Sequence, residues 1–289
     1  MYSPGDSPRG SVEWAEMLAG LKRRPSAGTA KTAADRTGRQ PREPRRAFGV
    51  DPEGHQLYTL RQSRYDALAE DISDWARIAA HKGKQLSIID VGCGIATLLR
   101  HLEPKPYFEN LVISATDLKV HPWLYRKELF REFFVGDLLK GYPEIVSNSY
   151  DVVVCEQVLE HLPHIDVALV TVVRILKPGG KLVVGVPIFL PPLHLIRKHI
   201  IPKLDPLFAP HKSRGHEQAF SQLSILRELK RNQKLRLLKV RGFRIISGGL
   251  LRPLENFRWW WRLNRRIGEL IPAACIEIQA IMEKIGADP

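Results

Sequence analysis

The sequence predicts an α/β protein built on a doubly wound parallel sheet. Three observations carry that reading. From about residue 84, β-branched apolar runs alternate with stretches of helical period. Their pitch is that of strand–helix–strand units, whose right-handed crossovers set parallel strands side by side. Finally, 44% of the 289 residues are apolar and 26% charged, which allows one sizeable core and excludes wholesale disorder.

Residues 1–50 are rich in Pro, Gly, Arg and Ser and are predicted to be a disordered basic tail, because they lack the apolar surface to offset ordering entropy. SVEWAEMLAGLKRR is an exception, since Val12, Trp14, Met17, Leu18 and Leu21 share a helical spacing. Residues 51–289 then form one domain. From Gly54 to His81 a helical period runs through Leu57, Leu60, Tyr65, Leu68, Ile72, Trp75 and Ile78. LSIIDVG reads as a buried parallel strand and ATLLRHL as the helix after it. NLVISATDL, FFVGDL and YDVVVCE are the second to fourth strands. A helix through VALVTVVRIL leads to KPGGKLVVGVP, a turn and the fifth strand.

Residues 187–217 break this rhythm with six prolines and four histidines, a first insertion. QLSILRELKRNQKLRLL reads as a helix and GFRIISGGLL as the sixth strand. A second insertion, 251–272, holds the basic aromatic helix PLENFRWWWRLNRRIGEL, and ACIEIQAIMEK is the seventh strand.

The net charge of +13 is unevenly spread. Residues 194–266 hold 18 basic against 4 acidic residues, whereas residues 51–193 hold 15 against 18. A near-neutral core with a late basic segment favours anionic partners, either an acidic membrane surface or RNA. Cys93, Cys155 and Cys275 lie far apart, which excludes a disulfide scaffold and a cysteine-built zinc site. No apolar run reaches the roughly 18 residues of a spanning helix, and MYSPGDSPRG lacks a signal-peptide core. A soluble, cytoplasmic chain is expected, with peripheral attachment to a membrane through its basic segment.

IIDVGCGIATLL is the most informative stretch. A strand runs into Asp90, then Gly92-Cys93-Gly94, then a helix. Glycines let backbone approach a ligand closely, and the following helix offers unpaired N–H groups. The third glycine of a dinucleotide fingerprint is missing, Ala96 or Thr97 standing in its place. The spacing favours a nucleoside-like ligand with a cationic or zwitterionic tail. The second strand ends in Asp117, where a carboxylate can accept both hydroxyls of a ribose. The third ends in Gly136-Asp137-Leu138 and the fourth in Cys155-Glu156-Gln157, followed by Leu159-Glu160-His161-Leu162.

DVGCGIATLL, ATDL, GDLL, YDVVVCEQVLEHLP and LKPGGKLVVGVP, in this order, resemble class I S-adenosylmethionine-dependent methyltransferases, in particular the small-molecule branch with ubiquinone-type O-methyltransferases. The resemblance covers residues 84–187, more loosely the strands after 240. It implies a seven-stranded Rossmann-like methyltransferase sheet with its last strand antiparallel, carrying basic helical insertions, and S-adenosyl-L-methionine as cofactor. It places Asp90, Gly92, Cys93 and Gly94 around the methionine portion, Asp117 and Leu118 at the ribose, Asp137 and Leu138 at the adenine, and Glu156 and Gln157 at the cofactor's edge. Some relatives hold a divalent metal with an ExxEH pattern at the last position. Gln157 stands where its first Glu would fall, and an amide is a poorer hard-cation ligand, so no metal is expected.

A hydroxyl acceptor needs its proton removed during transfer. His161 is the candidate base, and His216 in GHEQAFS a second candidate facing the acceptor. Loops after strand ends gather on the ligand side of such a sheet, so both insertions are expected to roof one opening. Trp259, Trp260 and Trp261 cannot all face one core, because successive helical residues point about 100° apart. The favoured function is O-methylation of a bulky apolar or amphiphilic, lipid-like small molecule. RNA methylation and a non-catalytic cofactor-binding scaffold are the alternatives.

Overall fold

The computed structural model describes residues 60, 62–189, 218–245, 254 and 257–286, with only the backbone of Arg258. These fall within the unit Arg46–Pro289. The predicted tail, residues 54–59 of the first helical pattern, His216, Arg252 and most of the first insertion lie outside the described residues.

The apolar runs pair as one seven-stranded sheet: β1 Leu86–Val91, β2 Leu111–Asp117, β3 Glu132–Val135, β4 Tyr150–Glu156, β5 Leu176–Pro187, β6 Leu235–Phe243 and β7 Glu277–Lys284. Its order is β3-β2-β1-β4-β5-β7-β6. β7 runs antiparallel to both neighbours. The chain steps outward from β1 through β2 to β3, then returns to place β4 on the other side of β1. That reversal opens a crevice at the carboxyl ends of β1 and β4, where ligands of such sheets bind.

Alternation along each strand feeds two cores. Ile89 and Val91 of β1 join the cluster under α3 (Ile165–Ile175) and α4 (Gln222–Arg231). Ile88 points the other way, into the cluster with α1 (Ser63–Ala80) and α2 (Thr97–Leu102). α1 contributes Leu68, Ile72 and Ala76 there, one face at helical spacing. Ser221 caps α4, its hydroxyl accepting from the Ser224 N–H.

The sixth strand lies earlier than the sequence reading placed it. α4 stops at Arg231, and Asn232 turns the chain, its Oδ1 accepting the Lys234 N–H at 3.0 Å. LRLLKVRGF, read as helix through Leu238 and as strand only from Gly242, is β6 throughout, an edge strand paired to β7. Basic residues at three of its nine positions, Arg236, Lys239 and Arg241, hid the strand pattern; charged side chains are how exposed edges avoid pairing with other chains. The last helix, α5 (Arg258–Leu270), follows β6 and packs on it: Asn264 Oδ1 accepts the Ile245 N–H at 3.2 Å, and Gly268 lies against the Gly242 backbone too closely for any side chain.

α1 is held to the sheet by charge as well as by its apolar face. Arg241 of β6, almost wholly buried, sets its Nη2 2.7 Å from Asp71 of α1 and donates from Nε to Gln279 of β7 at 2.8 Å. Arg241→Ala leaves Asp71 and Gln279 without that partner. It is expected to cost about 3 kcal/mol, the scale of breaking a buried pair from one side. Urea unfolding checks this, and an unchanged midpoint would show that α1 is held by its apolar face alone.

Candidate active site

The glycine loop is tied to β2 before any ligand arrives. The N–H groups of Gly92 and Cys93 donate to the Thr116 carbonyl at 2.8 and 3.1 Å. Gly92 has φ +72°, and a Cβ there would lie 2.5 Å from Cγ2 of Val158, the second residue after β4. Both the left-handed backbone and the close approach require glycine.

Asp117 ends β2 beside this loop, with each carboxylate oxygen held by a backbone N–H. Oδ2 accepts the Gly94 N–H at 2.8 Å and Oδ1 the Leu118 N–H at 2.7 Å. Each oxygen keeps a lone pair beyond that bond, so the residue both shapes the loop and fits a pair of ribose hydroxyls. Leu118 beside it is largely exposed and free to cover a ligand. Asp137 caps the turn Leu138–Lys140, with Oδ1 accepting the Leu139 N–H at 2.9 Å, which leaves Oδ2 for a base edge. Leu138 departs from its expected place: its side chain is buried in the core under α3, and its carbonyl accepts from Thr171.

Asp90 is buried at the end of β1, and burial pushes its carboxyl up to about 7, with Glu156 and then Asp117 adding repulsion. Burial also pushes the Cys93 thiol up, so it lines the loop as a small neutral side chain. Two carboxylates, a glycine cradle and an acid held near neutrality suit a ligand with a ribose, an amine and a sulfonium charge.

The carboxylate of Glu156 is engaged on the other side of β4. It accepts from Gln279 Nε2, lies 3.3 Å from Arg64 Nε, and occupies the space where a Cβ of Gly185 would stand. Arg64, at the start of α1, also reaches Glu277 at 2.8 Å, and Glu277 pairs with Arg244 at 2.5 Å. Its carboxylate is thus a structural partner of β7 and α1. Gln157 has φ +58°, a left-handed conformation that costs a residue with a side chain about 1–3 kcal/mol and concentrates at functional sites.

Beyond Gln157 the turn Leu159–His161 separates the expected Glu160–His161 pair. Glu160 points inward, fully buried, with neither oxygen hydrogen-bonded and its carboxyl pushed up to about 8 by burial. His161 is exposed on the opposite side of the turn. Among the described residues, no group of three or more His, Cys, Asp or Glu side chains is placed to hold a metal.

Arg64, Glu277 and Gln279 were not singled out by sequence. Arg64 sits in an ordinary amphipathic helix, with nothing to mark it. Glu277 and Gln279 did leave a signal, two polar residues at period two in an otherwise apolar strand.

Residues 89–182 match the family described as a methyltransferase domain. Over these residues the chain carries an S-adenosylmethionine-dependent methyltransferase domain. The mouse mitochondrial ubiquinone biosynthesis O-methyltransferase is 31% identical over 113 residues, 35% of this chain; the chain spans 30% of that relative's length. A structure assigned as a sarcosine dimethylglycine methyltransferase from Galdieria sulphuraria superimposes with TM-score 0.50 at 17% identity, covering 78% of this chain and 86% of the other. A methyltransferase structure from Bacillus halodurans gives 0.50 at 16%, covering 75% and 100%. Both likenesses are of fold. In this domain S-adenosylmethionine is the cofactor, and Asp90, Gly92, Gly94, Asp117 and Asp137 are the residues whose geometry suits it.

Asp117→Ala should weaken cofactor binding about tenfold to a hundredfold, the roughly 1.5–3 kcal/mol of a charge-assisted hydrogen-bond pair; titration calorimetry reads it, and unchanged affinity would move the site elsewhere. Asp90 gives a pH signature. Its folded value is raised, so its stabilising effect is complete below about pH 4 and is lost as pH rises through about 7. Asp90→Asn should therefore gain stability over the parent across that interval and hold the gain above it. Parallel stability–pH curves for the two proteins would contradict the assignment.

Proposed function

We propose that this protein methylates a hydroxyl oxygen of a bulky apolar or amphiphilic small molecule. The observation that carries this is the position of His161. It lies on the exposed side of the turn leaving β4, next to Val158, which packs over Gly92 of the cofactor loop. The cofactor supplies an activated methyl group with a good leaving group, so positioning accounts for much of the rate. What the chain must add is a group to take the hydroxyl proton, and an imidazole at that edge is suited to it. The likeness to an enzyme named for O-methylation in ubiquinone biosynthesis supports the same acceptor class.

Labelled cofactor incubated with cell extract fractionated into lipid, small-molecule, RNA and protein pools identifies the acceptor class. Label is expected in the lipid or small-molecule pool. Label in RNA would replace this reading with RNA methylation, and no label in any pool would favour a binding scaffold. With the acceptor pool in hand, His161→Ala should lower kcat by about a hundredfold to ten-thousandfold, the range of a lost general base. Cofactor affinity should stay within about threefold, under 0.7 kcal/mol. A variant that turns over like the parent would remove His161 from the chemistry.

A further inference from the structure

The outer face of α5 is an interaction surface that neither the methyltransferase fold nor the proposed transfer accounts for. Its inner face is fixed: Trp261 is 3% exposed, Asn264 bonds to β6's exit strand end and to the Trp260 carbonyl, Gly268 abuts Gly242, and Arg265 pairs with Glu70 of α1. The opposite face carries Trp259, Leu263, Arg266 and Leu270 at spacings of four, three and four residues, which is one stripe of a helix. Trp259 is 54% exposed, Leu263 40% and Leu270 80%, and Ile271 continues the stripe past the helix end.

Arg262 and Arg266 are exposed on this face, and among the described residues neither has a carboxylate partner; Glu269 lies at its flank. A single exposed leucine needs no explanation. A tryptophan and three large aliphatic residues in line, interleaved with exposed arginines, form a patch of the kind that marks an interaction site.

We propose that this face docks the protein onto an anionic lipid bilayer. Tryptophan and arginine suit the headgroup boundary, where the indole sits at the interface and the guanidinium pairs with phosphate while its stem lies along the apolar layer. Leu263, Leu270 and Ile271 decide between the bilayer and a nucleic acid. Aliphatic side chains fill acyl-chain space, whereas single-stranded nucleic acid is held by stacking on aromatic rings. The charge is complementary too, since residues 194–266 carry most of the chain's basic excess. No described helix is long and apolar enough to cross a membrane, so docking is in the plane. α5 connects the end of β6 to the start of β7, which places it at the sheet's carboxyl edge, where the glycine loop also opens.

The test is co-sedimentation of the full chain with vesicles of phosphatidylcholine, alone or mixed with phosphatidylglycerol, run beside binding to a single-stranded oligoribonucleotide. The parent is expected to bind the mixed vesicles and to prefer them to phosphatidylcholine alone. Leu263→Glu/Leu270→Glu should weaken vesicle binding at least about tenfold, because two inserted side chains become anionic. Arg262→Gln/Arg266→Gln should lower binding to the mixed vesicles while leaving the weaker binding to phosphatidylcholine unchanged. Both variants should keep cofactor affinity and melting temperature, since all four side chains point outward. Absence of parent binding to mixed vesicles overturns the proposal, as do charge-reversed variants that bind like the parent. So does an oligoribonucleotide that binds more tightly than vesicles and is unaffected by the leucine changes. If the glutamate variant fails to fold, the arginine variant decides alone.

Discussion

Arg64 is the interaction on which the carboxyl edge of the sheet depends. Its guanidinium lies between Glu156 at the end of β4 and Glu277 at the start of β7, so one side chain joins α1 to two strands with β5 between them. Left alone, Glu156 and Glu277 would repel across the width of β5 in a setting where water cannot screen them. Burial raises the Glu156 carboxyl, and the facing Arg64 and the Gln279 amide work against that shift. Arg244 on Glu277 and Arg241 on Asp71 repeat the arrangement further out. Such buried pairs add little net stability, because desolvation offsets most of the attraction. What they do fix is which carboxylates are charged and where they point.

The first five strands were legible because their signal is redundant. β1, β2, β4 and β5 are largely buried and read as mainly apolar runs, and Gly92 after β1, Asp117 at the end of β2 and Glu156 at the end of β4 mark where ligand-facing loops begin. β6 was misplaced because it is an edge strand: three of its nine positions are exposed, and its lysine and arginines mimic the charged face of the helix before it. The site divided in the same way. Asp90, Gly92 and Asp117 follow from local sequence, since each lies at a strand end next to a turn. The engagement of Glu156 could not be read, because it depends on Arg64 and Gln279, residues far away in sequence, the first brought near by α1 and the second by the antiparallel pairing of β7 with β5. Leu138 shows the limit of motif transfer, for its backbone fits the pattern while its side chain belongs to the core.

The three consecutive tryptophans show what geometry alone can settle. At about 100° per residue they could not share an environment, and in the structure they do not: Trp259 is exposed, Trp260 half-buried and Trp261 buried. Trp261 is the buried one of the three, on the face where Asn264 and Gly268 bring α5 close to β6. The sequence determines that the run is divided among surroundings. Which tryptophan falls where depends on the small residues three and seven positions later, which set the face that can approach a backbone closely.

Asp90 and Glu156 couple the two halves of the molecule. They lie at the carboxyl ends of β1 and β4, the neighbouring strands between which the chain reverses direction, and after burial the Glu156 charge does most to raise Asp90. The cofactor side, β1 to β3, therefore senses the charge state of the β4-to-β7 side through a buried acid held close to neutrality. Loss of Arg64 would leave burial free to protonate Glu156 and so relieve its repulsion of Asp90. A cation arriving at the glycine loop acts in the same sense, favouring the ionised Asp90. Because both effects act on one proton, the Arg64 clamp and the cofactor loop are linked thermodynamically even where no atom of one touches the other. This gives a physical reason for α1 to be tied so firmly by charge to the far side of the sheet.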